Sequence, residues 1–526
     1  MKKYIIYTLI VLFTGSSCND FLDEKTYGLV VPSTYPQSIS GLENCINALY
    51  SMTNSMYCET GNFVACMGGD DVTTQSGGNK SAFLQFDIFN AQDNNDRIEK
   101  QWNTSYNVIK QANVIIGSID NIEQPNMSAD YVKAQKNRAM GQAYFFRALA
   151  YFSLVRTFGE VPVTNGLVID YNLTKSSFED IYKQIESDLK NAEDLLPVNY
   201  KTAPNASDIE KTTFYARATS GAAKSLLASV YLTWAGFPVK DNSKYALAAQ
   251  KAKEVIDNAG NYGYQLLPQF ADLWKWQNGW KNVGNAEGVF TCHFNSNAGN
   301  WSDNGTSSNG NMMAPYGMFP ENFGGWSDVF AELTFFKEFP EGPRKDATFL
   351  TEGRKSPDAP VIGWKDFSFS HPYYKKYMDI EGFNPENMGA YIDWWSSRTT
   401  QVIRYAEVLL IYAEAQAMAD GTPNQLAYDC LNRVRTRANG GIEDKAPAGL
   451  SGSAFRNLVL TERKWEFAGL EPCARWYDLV RTETVAAATA KRDPAEVPVA
   501  GSPNDTTHEK YFAPIPQKDR LLNPNL

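Results

Sequence analysis

Helical hairpins recur along this chain, and their spacing limits the fold more than any other feature. Residues 404–419, RYAEVLLIYAEAQAMA, carry helical periodicity; a DGTPN turn follows, and a partner helix runs from about Gln425 to Ala438. Alanines recur where the two helices approach, and the span from Arg404 to Ala438 is close to the ~34-residue period of tetratricopeptide-type repeats. Residues 215–235 and a second helix from about Lys244 to Asn258 repeat the layout. The run 130–158 places Tyr131, Ala139, Ala143, Phe146, Ala150 and Val155 near one face and opens a pair reaching about 197. Residues 41–56 and 101–119 supply another pair. Such hairpins bury a core only by stacking on neighbours. The pairs at about 41–119, 131–197, 215–258 and 404–438 are therefore expected to stack across the long stretches between them, above all 260–400. Strand signals are short: GVFTCHF at 288–294 is the best run, and Val161 to Val168 reads as a small hairpin. The expected fold class is mostly α, a tetratricopeptide-like helical-pair scaffold with a loop-rich half and minor β-strands.

The first residues bound the compartment. Lys2 and Lys3 precede an apolar run from Tyr4 to about Phe13, then Gly15, Ser16, Ser17 and Cys18. This is the layout of a secretory signal, and its apolar run is about half the ~20 residues that cross a bilayer. Small residues packed against a cysteine point to a bacterial lipoprotein: residues 1–17 are removed and Cys18 is acylated. Each buried methylene of the acyl chains contributes about 0.8 kcal/mol to anchoring. The net charge of −10 argues against a nucleic-acid partner and for a neutral or mixed-charge ligand. Six further cysteines are scattered without metal-ligand spacing. Cys58 and Cys66 are close enough to bridge in an oxidising compartment, and buried free thiols fit equally well. His293, His371 and His508 lie far apart and read as structural. The adjacent carboxylates Asp70 and Asp71 do not face each other across the ~5–9 Å gap a glycosidase needs. No cofactor is expected; Asp-, Asn- and Gly-rich loops offer oxygens for calcium, but no EF-hand pattern is present.

Seven segments occur in an order that resembles one known family. They are CNDFLDE at 18–24, WNTSYNVIKQANVII at 102–116, QAYFFRALAYFSLVRTFGEVPV at 142–163, IRYAEVLLIYAEAQA at 403–417, LNRVRTRA at 431–438, ERKWEFAGLEPCARWYDLVR at 462–481 and PIPQKDRLLNPNL at 514–526. The chain resembles the SusD/RagB family of outer-membrane nutrient-binding lipoproteins. The resemblance implies a single domain over 18–526, with a variable ligand-facing insertion at about 260–400. It also implies a surface lipoprotein that covers a TonB-dependent (SusC-like) outer-membrane transporter, captures oligosaccharides or less often peptides, and is not an enzyme.

A glycan site needs flat apolar rings beside planar polar groups, because the C–H face of a pyranose lies on an aromatic ring while amides and carboxylates read its hydroxyls. Aromatic residues make 13% of the chain, and many tryptophans sit in polar stretches. The segment 274–326 supplies Trp274, Trp276, Trp280, Asn295, Asn297, Asn300, Trp301, Asn304, Tyr316, Phe319, Asn322 and Trp326. Trp301, Tyr316 and Trp326 are the expected ligand platforms; Trp274 and Trp276 stand in a helical context that favours packing. From the resemblance, the loop 68–82 adds Asp71, Gln75 and Asn79 as polar contacts. Trp394 and Trp395 form a further exposed candidate, and Trp102 reads as structural. Tyr151, Phe152, Arg156, Arg404, Glu407, Arg463, Glu466, Arg475 and Asp478 read as glue between helices.

Overall fold

Side-chain caps set where the helices begin. Ser38, Asn95, Ser128, Ser177, Thr219, Asn424 and Ser451 each accept a hydrogen bond from a backbone N–H of the first turn, satisfying donors that a helix start leaves open. They open α1 (Ile39–Tyr57), α2 (Asp96–Ser118), α3 (Ala129–Phe158), α4 (Phe178–Leu195), α5 (Ser220–Trp234), α8 (Gln425–Ala438) and α9 (Gly452–Glu466). Between these lie α6 (Lys244–Asp257) and α7 (Tyr405–Asp420), and α10 (Ala474–Arg481) follows α9. The computed structural model describes residues 36–166, 170–274, 285–294, 306–318, 325–356, 358–378, 398–501 and 508–526.

From α1 to α8 each helix packs on the next, and α9 also lies on α7. The separated hairpins therefore lie in one continuous stack. Alanine permits the close approach: Ala222, Ala223 and Ala228 of α5 and Ala248 and Ala252 of α6 are all fully buried. α7 is covered nearly all round, with buried residues from Tyr405 through Ala417, the pattern of a helix inside a core instead of on its surface. Among the described residues no helix is long and apolar enough to cross a membrane.

The strands are few. GVFTCHF supplies β2 (Gly288–Cys292), after the short β1 (Val72–Thr73) and before β3 (Phe330–Ala331). β2 pairs antiparallel with Thr400–Arg404, the segment that runs directly into α7, with Gly288 opposite Arg404 and Cys292 opposite Thr400. The expected hairpin at Val161 to Val168 is corrected: residues 161–166 form no strand, and Val168 lies outside the described residues. Side chains take the place of a partner strand there. The Tyr151 hydroxyl accepts from Thr164 N–H (2.8 Å) and donates to Thr164 O (3.0 Å), while Asn113 Nδ2 donates to Thr164 O and Gly166 O (both 3.1 Å).

The cysteine reading also changes. Cys66 bridges Cys473 across 407 residues, and Cys58 keeps a free thiol. Proximity in sequence misled, because the 3-10 turn Thr60–Cys66 carries Cys66 into the core, where it meets the start of α10.

One buried charge cluster joins these parts. Arg404 Nη1 donates to Glu287 (2.7 Å) and Glu466 (2.8 Å), and its Nε pairs with Glu471. Arg437 reaches the same Glu287 (2.8 Å) and Glu466, while Arg344 adds Glu462 (2.5 Å) and Glu466 (2.9 Å). Lys376, itself buried, pairs with Glu471. Burial opposes the ionised form of Glu466, but Arg437, Arg404 and Arg344 outweigh it and hold the carboxyl at about 2. Around this centre, Arg481 pairs with Glu414 of α7 (2.5 and 2.7 Å) and Arg463 with Asp478 (2.7 Å). Arg156 lies over the rings of Phe152 and Tyr477 at 3.7 and 4.0 Å from their centroids. Of the residues read as interhelical glue, Arg156 and Arg463 join helices in this way, whereas Tyr151 and Arg475 hold the loop residues Thr164 and Asp70.

Removing one member of a buried pair leaves charges without partners and costs about 3–5 kcal/mol. Arg404→Ala should therefore lower unfolding stability by at least about 3 kcal/mol in urea titration; a loss below 1 kcal/mol would contradict the role given to this cluster.

Candidate functional site

Loop-rich segments form a layer with its own small core. Ala314, Met318, Phe330, Leu350, Phe367, Tyr373 and Met378 are buried together, apart from the helical core, with Ile362, Trp364 and Phe369 packed against them. Apolar residues widely separated in sequence thus hold a surface that no helix supplies.

β1 anchors this layer, pairing antiparallel with β3 so that Val72 faces Ala331 and Thr73 faces Phe330. Beyond β1, Thr74 Oγ1 donates to Asp328 O (2.6 Å), Gln75 Nε2 to Ser327 O (3.4 Å), and Lys80 pairs with Asp328. Burial raises the Asp328 carboxyl to about 6, more than the Lys80 ammonium lowers it. Residues 325–329 run beside 311–316: Trp326 N–H donates to Asn311 O (2.8 Å), Ser327 N–H to Ala314 O (3.0 Å) and Asp328 N–H to Met312 O (2.9 Å). The approach is close enough that a Cβ on Gly325 would lie 2.2 Å from Pro315 O.

Ser327 is the junction. Its Oγ accepts from Tyr316 N–H (2.8 Å) and from the hydroxyl of buried Tyr373 (2.9 Å). Ser368 Oγ donates to Tyr316 O (2.9 Å). The backbone of Tyr316 is thus held on both sides while its side chain, 66% accessible, faces water. An exposed ring on a fixed backbone is an apolar platform that loses little freedom when a ligand covers it.

The structure separates the candidate residues. Tyr316 is exposed, Gln75 is half-buried beside Ser327, and Asn79 is exposed on the same loop as Lys80. Of these, Tyr316 and Gln75 meet at Ser327, while Asn79 precedes the Lys80 that pairs with Asp328. Trp326 is corrected: its half-buried indole packs against the helical core instead of standing free. Asp71 is corrected more strongly. The loop turns inward to form β1, leaving Asp71 1% accessible; its Oδ2 accepts from Gly469 N–H (2.8 Å), and its carbonyl from Tyr374. Burial, then neighbouring Asp70, raises its carboxyl to about 6. Asp70 pairs with Arg475 (2.5 and 2.8 Å), so the two carboxylates form no catalytic pair.

Trp301 lies outside the described residues, as do Cys18, Trp276, Trp280, Asn295, Asn297, Asn300, Asn304, Phe319, Asn322, Trp394 and Trp395. Trp274 is half-buried between Phe270 and Tyr377, in keeping with a packing role, and Trp102 is 4% accessible. His293 bonds Thr291 Oγ1 (2.8 Å), and burial lowers it to about 4; His371 bonds Glu496 (3.0 Å). Ser327, Tyr373 and Ser368 stay hidden in the sequence, since single residues in irregular segments carry no periodic signal. The one available clue was the Gly-Gly-Trp-Ser run at 324–327.

Gly325→Ala should break the contact with residues 314–316 and release the Tyr316 segment. Limited proteolysis should then cut near 316 at least several-fold faster than in the unaltered chain; an unchanged rate would mean the approach relaxes easily.

The chain's relatives agree with this architecture. A family model described as "Starch-binding associating with outer membrane" matches residues 20–232, and the SusD family model matches 251–526. SusD-like protein P2 of Formosa agariphila is 27% identical, covering 100% of this chain and 99% of that protein. A solved SusD homolog from Bacteroides thetaiotaomicron superposes with a TM-score of 0.76 at 24% identity, over 94% of this chain and 97% of the other. Surface glycan-binding protein A of the same species, solved in complex with laminarihexaose, gives a TM-score of 0.71 at 19% identity, over 93% and 99%. With its helical stack, its loop layer and a family match over more than half its length, this chain belongs to the SusD family.

Proposed function

We propose that this chain is a non-catalytic glycan-binding lipoprotein of the cell surface that captures oligosaccharides and passes them to a TonB-dependent outer-membrane transporter. Residues 18–526 would act as one unit behind a signal peptide of residues 1–17, tethered through acylated Cys18. The observation that carries the ligand class is the Tyr316 ring, exposed to water on a backbone held by Ser327 and Ser368. Gln75, beside Ser327, and Asn79, exposed on the same loop, would supply amide groups for hydroxyls. Trp301 remains a proposed second platform. The related glycan-binding protein solved with laminarihexaose supports a saccharide cargo, and the family description supports the outer membrane. The Cys66–Cys473 bridge fits an exported protein, since such bonds persist in oxidising compartments.

Shallow sites of this kind bind in the micromolar to millimolar range. Calorimetry of the mature chain against oligosaccharides of about six residues should find a ligand, and Tyr316→Ala should weaken it at least fivefold, about 1 kcal/mol, with an unchanged melting temperature. Binding of peptides but of no glycan would replace the saccharide reading. Cys18→Ala should abolish incorporation of labelled fatty acid and release the protein from the membrane fraction; retention of the label would rule out the tether.

A further inference from the structure

A cleft of about 310 Å³ opens between α2, the residues around Pro162 and Tyr171, and the C-terminal residues 519–526. It shares no lining residue with the Tyr316 surface. Its size is at the lower end of ligand clefts, about 300–1,000 Å³.

Hydrogen bonds tie its walls together. Tyr106 of α2 donates through its hydroxyl to Pro162 O (2.9 Å), and Asn113 reaches Thr164 O and Gly166 O. Asn523 Nδ2 donates to Leu173 O (2.8 Å) and Asn525 Nδ2 to Asn172 O (3.1 Å). The Trp102 side chain bonds Asp519, joining the C-terminal wall to α2. The floor is aromatic, with the rings of Trp102 and Tyr106 4.8 Å apart.

The rim is unspent. Tyr171 and Tyr316 are the two tyrosines or other large aromatics that stand most open to water among the described residues, and Tyr171 is 49% accessible at this cleft. Across from it, Asn103 and Asn107 are exposed four residues apart on α2, a spacing that puts them on one helix face. Neither amide, nor the Lys110 ammonium beside them, bonds any side chain or backbone group among the described residues. A purely apolar ligand would bury these amides without partners, at a cost. An anion would meet the carboxylates of Asp170 and Asp519, with Lys110 the one lining cation. A small neutral polyol with one apolar face satisfies all of these groups.

We propose that this cleft is a second saccharide site, taking a neutral disaccharide or the end of a glycan chain, with its C–H face on Tyr171 and its hydroxyls on Asn103 and Asn107. Site and ligand class stand on the cleft's own chemistry, not on the Tyr316 surface. The test is saturation-transfer NMR of the mature chain with maltose, cellobiose, laminaribiose and xylobiose, each at millimolar concentration. With Tyr316→Ala, at least one disaccharide should keep its signal within twofold of the unaltered chain. Adding Tyr171→Ala, or separately Asn107→Ala, should cut that signal at least fivefold while the melting temperature stays unchanged. Loss of every signal on Tyr316→Ala alone would overturn the second site and leave the proposed function standing. Signal that survives Tyr316→Ala, Tyr171→Ala and Asn107→Ala together would also overturn it, as would no signal from the unaltered chain. Hexasaccharide calorimetry still decides the Tyr316 surface separately.

Discussion

The arginine-centred cluster around Glu466 is the constraint on which the rest depends. Arg404 ends the strand that pairs with β2, Arg437 lies on α8, and Glu466 ends α9. Arg344 and Lys376 bring the loop-rich segments to the same point. Charges this deeply buried are tolerated only when each finds several partners. The cluster therefore fixes the relative position of the helical stack and the loop layer more than any single apolar contact does. Its acid response follows from Glu466. A carboxyl held at about 2 in the fold contributes stability above its ordinary value near 4.3, and that contribution is lost as pH falls toward 2.

The loop layer inherits this positioning. Lys376 is fixed in the cluster, and the neighbouring Tyr373 and Tyr374 turn into the interior. Tyr373 then meets Ser327, and Ser327 holds Tyr316. An exposed ring is connected in this way, through two hydrogen bonds at Ser327 and the short segment from Tyr373 to Lys376, to the buried charge cluster. Rigid support of this kind is what a weak-binding surface needs, because each contact then begins near its bound geometry.

Much of the scaffold could be read from the residues. Alanine spacing and polar turns located the helices α3, α5, α6, α7 and α8 within a few residues, because helical periodicity persists over long runs. The glue residues were legible for a related reason: an arginine or glutamate inside an apolar helix needs a buried partner. The site was less legible. Asp71 and Gln75 are four residues apart in one polar loop, yet one is in the core and the other only half-buried. Their difference depends on β1 pairing with β3, some 258 residues later, which local pattern does not encode. Trp326 failed likewise, since a polar neighbourhood in sequence says nothing of the core it packs against. Cys66 found Cys473, not nearby Cys58, for the same reason.

That bond sets an order on biogenesis. The thiol of Cys66 is made early and its mate comes 407 residues later. At about 5–20 residues per second of synthesis, the first sulfur waits roughly 20–80 s for the second to exist. Rival mates surround it throughout: Cys45 and Cys58 are made before Cys66, and Cys292 and Cys430 emerge during the wait. The finished fold withdraws three of these rivals, burying Cys45, Cys292 and Cys430, and leaves only Cys58 half-buried.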